Sequence, residues 1–285
     1  MVEHPPGTQP PRRRRWHFHW ELLVCGLRGH ELAGPDAAAL RPEDAILARE
    51  DSTGTRWYRC QRCDSWLALP RPEHPGRPYP PERSEIELPL RGKPLRDKII
   101  LRLIALDRAF HFIVLGALGV LVLVFAADRQ TFRNTFYKVM ADLQGGVASS
   151  RLHATHGLWY DLNNAFTTSS SRLHLLGAVL LAYGAVEGVE AVGLWYQRRW
   201  AEYLTFIVTT SLLPLEVYEI IDHATPFKVL AFIINVVVVV YLLLAKRLFG
   251  LRGGVAANEA ESEHDRGWAA LERATPPSLA HPALR

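Results

Sequence analysis

The strongest constraint on this chain lies at 173–222. It reads LHLLGAVLLAYGAVEGVEAVGLWY, then QRRW, then AEYLTFIVTTSLLPLEVYEIID. Each apolar run is long enough to cross about 30 Å of hydrocarbon, and the turn between them is too short to be a domain. Backbone polar groups inside lipid must be satisfied within their own segment, so both runs are expected as helices forming an antiparallel hairpin. Four carboxylates, Glu187, Glu190, Glu216 and Glu219, fall inside those helices. Each costs about 3 kcal/mol at depth on insertion scales, so each needs a reason to be there.

Two further runs complete a set of four crossings. The first is 112–127 (FIVLGALGVLVLVFAA), extended at its start by 109–111; the last is 229–245, strongly β-branched, with Asn235 as its only amide. The hairpin supplies the second crossing at 173–196 and the third at 203–221. In the second, Gly177, Gly184, Gly188 and Ala191 form a small-residue stripe that lets another helix approach closely, and Gly184 with Gly188 is a GxxxG that would serve a homo-oligomer. Trp195, Tyr196, Trp200 and Tyr203 cluster where the chain re-enters water, as an aromatic belt does. In the third, Pro214 frees the carbonyl of Thr210, and nearby hydroxyls offer it a substitute partner. Residues 95–112 place Lys98, Arg102 and Arg108 between apolar residues at helical spacing. That pattern fits an interfacial helix leading into the bilayer, or a plain extension of the first crossing.

The charge is unevenly spread. Residues 1–108 and 251–285 hold most of it, and the formal net charge is +4 with a pI near 9.0. The basic residues do not make one aromatic-laced face, which disfavours a nucleic-acid partner. They flank the apolar runs instead: Arg91, Lys93, Arg96, Lys98, Arg102 and Arg108 before the first, Arg198 and Arg199 in the middle turn, Lys246, Arg247 and Arg252 after the last. The short outer turn has Lys228 alone, so both termini are expected in the cytoplasm, in a multi-pass protein of the plasma membrane. Three cysteines, an odd number, argue against a disulfide framework and agree with a reducing compartment. The opening does not read as a signal peptide, because the stretch after Arg12–Arg15 soon meets Glu21.

Ahead of the membrane domain, 1–15 reads as a disordered basic arm and 16–69 as a small folded unit. The unit carries Cys25-x4-His30, then Cys60-x2-Cys63. The Cys-x2-Cys spacing lets two thiolates grip one metal, and Cys25 with His30 would complete a tetrahedron of the kind zinc favours in closed structural sites. A segment this short builds a thin apolar core, so a metal staple would supply missing stability. The pattern resembles a zinc ribbon with one knuckle altered to Cys/His, and Asp64 stands where ribbons often carry glycine. Buried reduced thiols and a thiol redox pair are the competing readings. Residues 70–94 contain eight prolines and read as a semi-rigid linker. The expected layout is therefore an all-α membrane protein with four transmembrane helices at 95–249, a small zinc-ribbon-like cytoplasmic domain at 16–69, and a disordered tail at 250–285 with a short helix around 268–271. The loop at 128–172 is polar, with a short helix expected at 134–143. His153, His156 and His174 invite a metal reading there, but their spacing is loose.

Tyr183-Gly184-x2-Glu187-Gly188-x4-Gly193-Leu194-Trp195, Arg199-Trp200-Ala201-Glu202-Tyr203-Leu204 and Leu213-Pro214-Leu215-Glu216-Val217-Tyr218-Glu219 together resemble an uncharacterised family of bacterial integral membrane proteins, domain of unknown function 2127. The resemblance covers 101–244. It implies four membrane helices and no established activity.

Three roles for the acids stand open. In the first they are structural, hydrogen-bonded to Tyr183, Tyr218, Asn235, Thr210 or the basic turn, and the zinc unit is a docking or regulatory module awaiting a protein partner on a membrane anchor. In the second they form a polar seam for protons or a cation. The paired glutamates superficially resemble those of iron permeases, yet Val186 and Leu215 stand where that motif has arginine. In the third they hold a metal in a membrane enzyme, with His223 four residues after Glu219. No nucleophile–base pair, phosphate loop or Glu-x-x-His motif supports catalysis.

Overall fold

A computed structural model describes residues 19–128 except 52, residues 130–132 and 134, and residues 169–275 except 223. It divides into two compact units: Met1–Ile100 with Val240–Arg285, and Leu101–Val239. The expected arm at 1–15, the expected helix at 134–143 beyond its first residue, and His153 and His156 lie outside the described residues. His174 lies inside a helix, exposed, with its Nδ1 2.7 Å from the carbonyl of Ser170.

The first unit opens with helix α1 (Trp20–Arg28), ended by Gly29 at φ +86°. A 3-10 turn (Pro42–Ile46) leads into strands β1 (Ala48–Glu50), β2 (Arg56–Arg59) and β3 (Trp66–Leu69). They form one antiparallel sheet in the order β1-β2-β3, with Tyr58 paired to Ala48 on one side and Leu67 on the other. Asp51 closes the β1–β2 turn. Its Oδ1 accepts from the Thr53 hydroxyl and the amides of Thr53 and Thr55, its Oδ2 from Trp57 Nε1, and these bonds hold the carboxyl down at about 2.

Helix α2 (Gly92–Ala127) follows. Its 36 residues span about 54 Å in one piece. Of the two expectations for 95–112, the continuous extension is therefore the one observed. Pro94 sits in the first turn, where a missing N–H costs nothing. The first amides of α2 are satisfied by carboxylates: Gly92 N–H donates to Glu21 Oε1 and Lys93 N–H to Asp265 Oδ2, each at 2.8 Å.

Helices α3 (Ser170–Trp195), α4 (Arg199–Asp222) and α5 (Pro226–Leu244) complete the set. All four are long and apolar enough to cross a membrane. Leu121, Leu175, Val179, Ile207 and Val237 point outward, which water would penalise and lipid does not. The second unit is held by close backbone approach. A Cβ on Gly119 would stand 3.1 Å from the carbonyl oxygen of Gly177, and one on Gly177 would stand 3.2 Å from that of Gly119. Gly184 faces the backbone of Phe112 and Gly116, and Gly188 faces the Phe112 ring. The small-residue stripe is thus filled by α2 of the same chain.

The tail also departs from expectation. Residues 254–273 form α6 (Gly254–His264) and α7 (Gly267–Arg273), where a disordered segment with a short helix around 268–271 was expected. Leu271 is fully buried with Ala33 and Leu47, against Ile46, Ile86, Leu88 and Trp268. Arg59 donates to Thr275 Oγ1 at 2.7 Å and to the Leu271 carbonyl at 3.2 Å. Arg83 pairs with Glu272 at 2.7 Å and stacks on Trp268. The tail is polar in composition, but one apolar residue at the right place is enough to anchor it. Leu271→Ala in the full chain should cost about 2–5 kcal/mol. Hydrogen exchange should then accelerate in β2 and β3 and leave α3 unchanged.

Candidate metal centre and intramembrane charge cluster

The Cys/His group is assembled from two local structures. Cys60 closes β2 and Cys63 follows in the tight turn before β3. The Cys60 N–H donates to the Ser65 carbonyl at 2.8 Å, and the Asp64 N–H donates to the Cys60 carbonyl at 3.0 Å. Asp64 adopts φ +60°, the left-handed conformation expected where ribbons use glycine. Cys25 comes from α1 and His30 from just beyond its end. The second half of the site is therefore a helix terminus and not a knuckle.

One ligand atom from each of Cys25, His30, Cys60 and Cys63 lies within 4.8 Å of all the others. Cys25 Sγ is 3.7 Å from Cys60 Sγ, and Cys63 Sγ is 3.4 Å from His30 Nδ1. Tetrahedral zinc with its ordinary bond lengths separates two sulfurs by about 3.8 Å, and a sulfur from a nitrogen by about 3.6 Å. The donor set fits a metal ion on both chemistry and spacing. All three cysteines are free thiols. Burial and the neighbouring thiols push Cys25 up to about 12. Burial would raise Cys60 as well, but the amides of Cys63 and Arg62 and the His30 side chain bring it down to about 7. Arg62 adds a cation: its Nη1 lies 3.9 Å from Cys25 Sγ while its Nη2 donates to Glu31. A divalent ion held by three thiolates would leave one negative charge, and Arg62 is placed to offset it. Arg62→Ala should weaken zinc or cobalt affinity about 10–100-fold, measured by competition with a chromophoric chelator.

The membrane helices hold a second cluster. Arg108 on α2 is buried, and its Nη1 donates to Glu187 Oε1 at 3.0 Å and Oε2 at 3.2 Å. Its Nη2 donates to Thr209 Oγ1 at 3.0 Å, and its Nε lies 3.7 Å from Glu190 Oε2. Thr205 donates to Glu190 Oε2 at 2.9 Å. Arg102 stacks 4.8 Å over the Trp195 ring, among the aromatic residues that mark the membrane boundary. Arg108 is six residues, or about 9 Å, deeper along α2, and Glu187 is about 12 Å below Trp195 along α3.

The partners of the acids agree with those expected only in part: Tyr183 does meet Glu187. Arg108, assigned above to the basic residues that set orientation, enters the bundle and pairs with Glu187. Thr205 and Thr209 take the place expected for Thr210. Asn235 does meet an acid, donating to Glu216 Oε1 at 2.5 Å. Glu219 is exposed near the C-terminal end of α4 and pairs with Lys228 Nζ at 3.4 Å, while His223 lies outside the described residues. So Glu187 and Glu190 form one site, and Glu216 and Glu219 do not join it. A signal for Arg108 was present: Leu101, Ile104 and Ala105 are buried, and 108 continues that face at helical spacing.

The fold and these sites define a four-helix integral membrane protein with a small Cys/His-bearing unit. Residues 100–246 match the model of the predicted membrane protein family DUF2127, and the chain belongs to that family. Three relatives are 37% identical over 250 residues, which cover 87% of this chain and 92% of theirs. They are described as uncharacterized proteins of Mycobacterium bovis and of the CDC 1551 and H37Rv strains of Mycobacterium tuberculosis. That alignment runs past the family span, so the relatives also share part of the flanking unit. No solved structure matches.

Proposed function

We propose that this protein is a zinc-stabilised docking or regulatory module carried on a four-helix membrane anchor. The observation that carries the reading is the convergence of Cys25, His30, Cys60 and Cys63 within 4.8 Å of one another. Zinc is the metal of choice for three thiolates and an imidazole at tetrahedral spacing, and four protein ligands leave no open position for substrate. The role is then structural and recognition falls to the surface, with a protein at the cytoplasmic face as the partner class. Nucleic acid is disfavoured, because Arg56, Arg59 and Arg62 are buried in internal pairs and present no basic face.

The plasma membrane, with both termini and the module on its cytoplasmic side, follows from basic residues before α2, in the α3–α4 turn and after α5. Removing Arg108 from that count leaves the asymmetry intact. Free thiols agree with the reducing side.

Full-length protein purified in detergent should contain one zinc per chain by elemental analysis. Cys60→Ser should lose it and raise hydrogen exchange in β2 and β3. Zinc affinity should fall as pH drops, because protons then compete with the metal for the thiolates and the imidazole. A metal-free protein whose sheet is equally protected in chelator would contradict the reading.

A further inference from the structure

The charge count inside the bundle leaves something to be supplied. Arg108 brings one positive charge, and Glu187 and Glu190 bring two negative ones, all three buried. Hydrocarbon does not tolerate the uncompensated charge, and a water-filled or cation-bearing site relieves it. Glu190 is fully buried, and its Oε1 has no hydrogen-bond partner among the described residues. Glu216 shows the same feature further along: Asn235 takes one oxygen, and its buried Oε2 has no hydrogen-bond partner among the described residues.

These atoms share one line. On α4, Glu202, Thr205, Thr209 and Glu216 follow at i, i+3, i+7 and i+14, which is a single helical face. Thr205 fixes the level of Glu190 and Thr209 that of Arg108 and Glu187. Successive steps along the face are then about 4.5, 6 and 10.5 Å, and Glu202 to Glu216 covers about 21 Å of a 30 Å core. A chain of carboxylates with hydroxyls between them has the make-up of a proton relay.

We propose that this seam conducts protons through the bundle, with Glu190 as the group that takes up and passes on each proton. A proton from water at the α3–α4 end is handed in past Glu202 and forms an O–H bond at Glu190 Oε1. Arg108 then serves Glu187 alone. Release breaks that O–H bond and passes the proton towards Glu216 through water in the longest step, leaving the Glu190 carboxylate as it began. The carrier is a proton and not a metal cation: the Arg108 guanidinium already occupies the space between the two carboxylates and would repel a second cation, whereas a proton binds on the oxygen itself. Tyr183 faces Glu187 from the same helix, and Asp107 and His111 pair with each other on α2, with the His111 ring near enough to Glu216 to act on it electrostatically. The inference is independent of the zinc reading.

The test is proton flux in liposomes containing the purified full chain and a trapped pH dye, driven by a potassium diffusion potential. Wild type should acidify the lumen at least tenfold faster than protein-free liposomes. Glu190→Gln should remove most of that excess, and so should Glu216→Gln, which leaves the Arg108 cluster untouched and covers the case in which the first variant misfolds. Glu219→Gln should retain it. Flux no faster than in empty liposomes, flux indifferent to both glutamine variants, or flux of sodium in place of protons would each overturn the proposal.

Discussion

One guanidinium decides how this bundle is put together. Arg108 reaches Glu187 on α3 with two hydrogen bonds, Thr209 on α4 with another, and Glu190 through its Nε. It therefore ties three helices at one depth. In lipid the apolar effect does not distinguish helix–helix from helix–lipid contact, so packing and polar bonds must choose the arrangement. The glycines of α2 and α3 let the backbones close together, but a stripe of small residues leaves the partner helix free to slide. A charged pair with fixed geometry does not. Removing one partner would strand a buried charge, which sets the register more firmly than the pair contributes to stability.

The other unit solves a different problem. It has a three-stranded sheet of short strands and a small apolar cluster, too little to hold a fold by burial alone. Its order comes from cross-links. Asp64 gathers Arg59 and Arg91, Arg56 donates to the carbonyls of Ala37 and Ala38, and the Cys/His group joins α1 to the β2–β3 turn. Asp97 receives Tyr241, Lys93 and Lys246, binding the start of α2 to the end of α5. The C-terminal helices complete the unit from the far end of the sequence.

Much of this was legible from residues alone, for definite reasons. Four long, largely apolar windows leave helix as the backbone solution in lipid, and Cys-x2-Cys fixes its own turn. The misses have a common source. Arg108 reads with the basic residues beside it in sequence, while Thr205 and Thr209 carry no local signal, and the roles of all three depend on which face the helix turns inward. The tail was judged by composition, and composition cannot reveal that Leu271 meets Ala33 and Leu47. Glu219 was grouped with Glu216 by spacing, yet three residues near the end of α4 separate an exposed ion pair from a half-buried amide contact.

The account stands on Arg108 compensating acids inside the bundle, and a charge swap addresses that most directly. Unfolding free energies would be measured in detergent or bicelles for Arg108→Glu, Glu187→Arg and the two combined. Each single reversal should cost at least about 3–5 kcal/mol, and the double variant should recover a large part of that loss. Single variants as stable as wild type, or a double variant as damaged as the sum of the two, would contradict it.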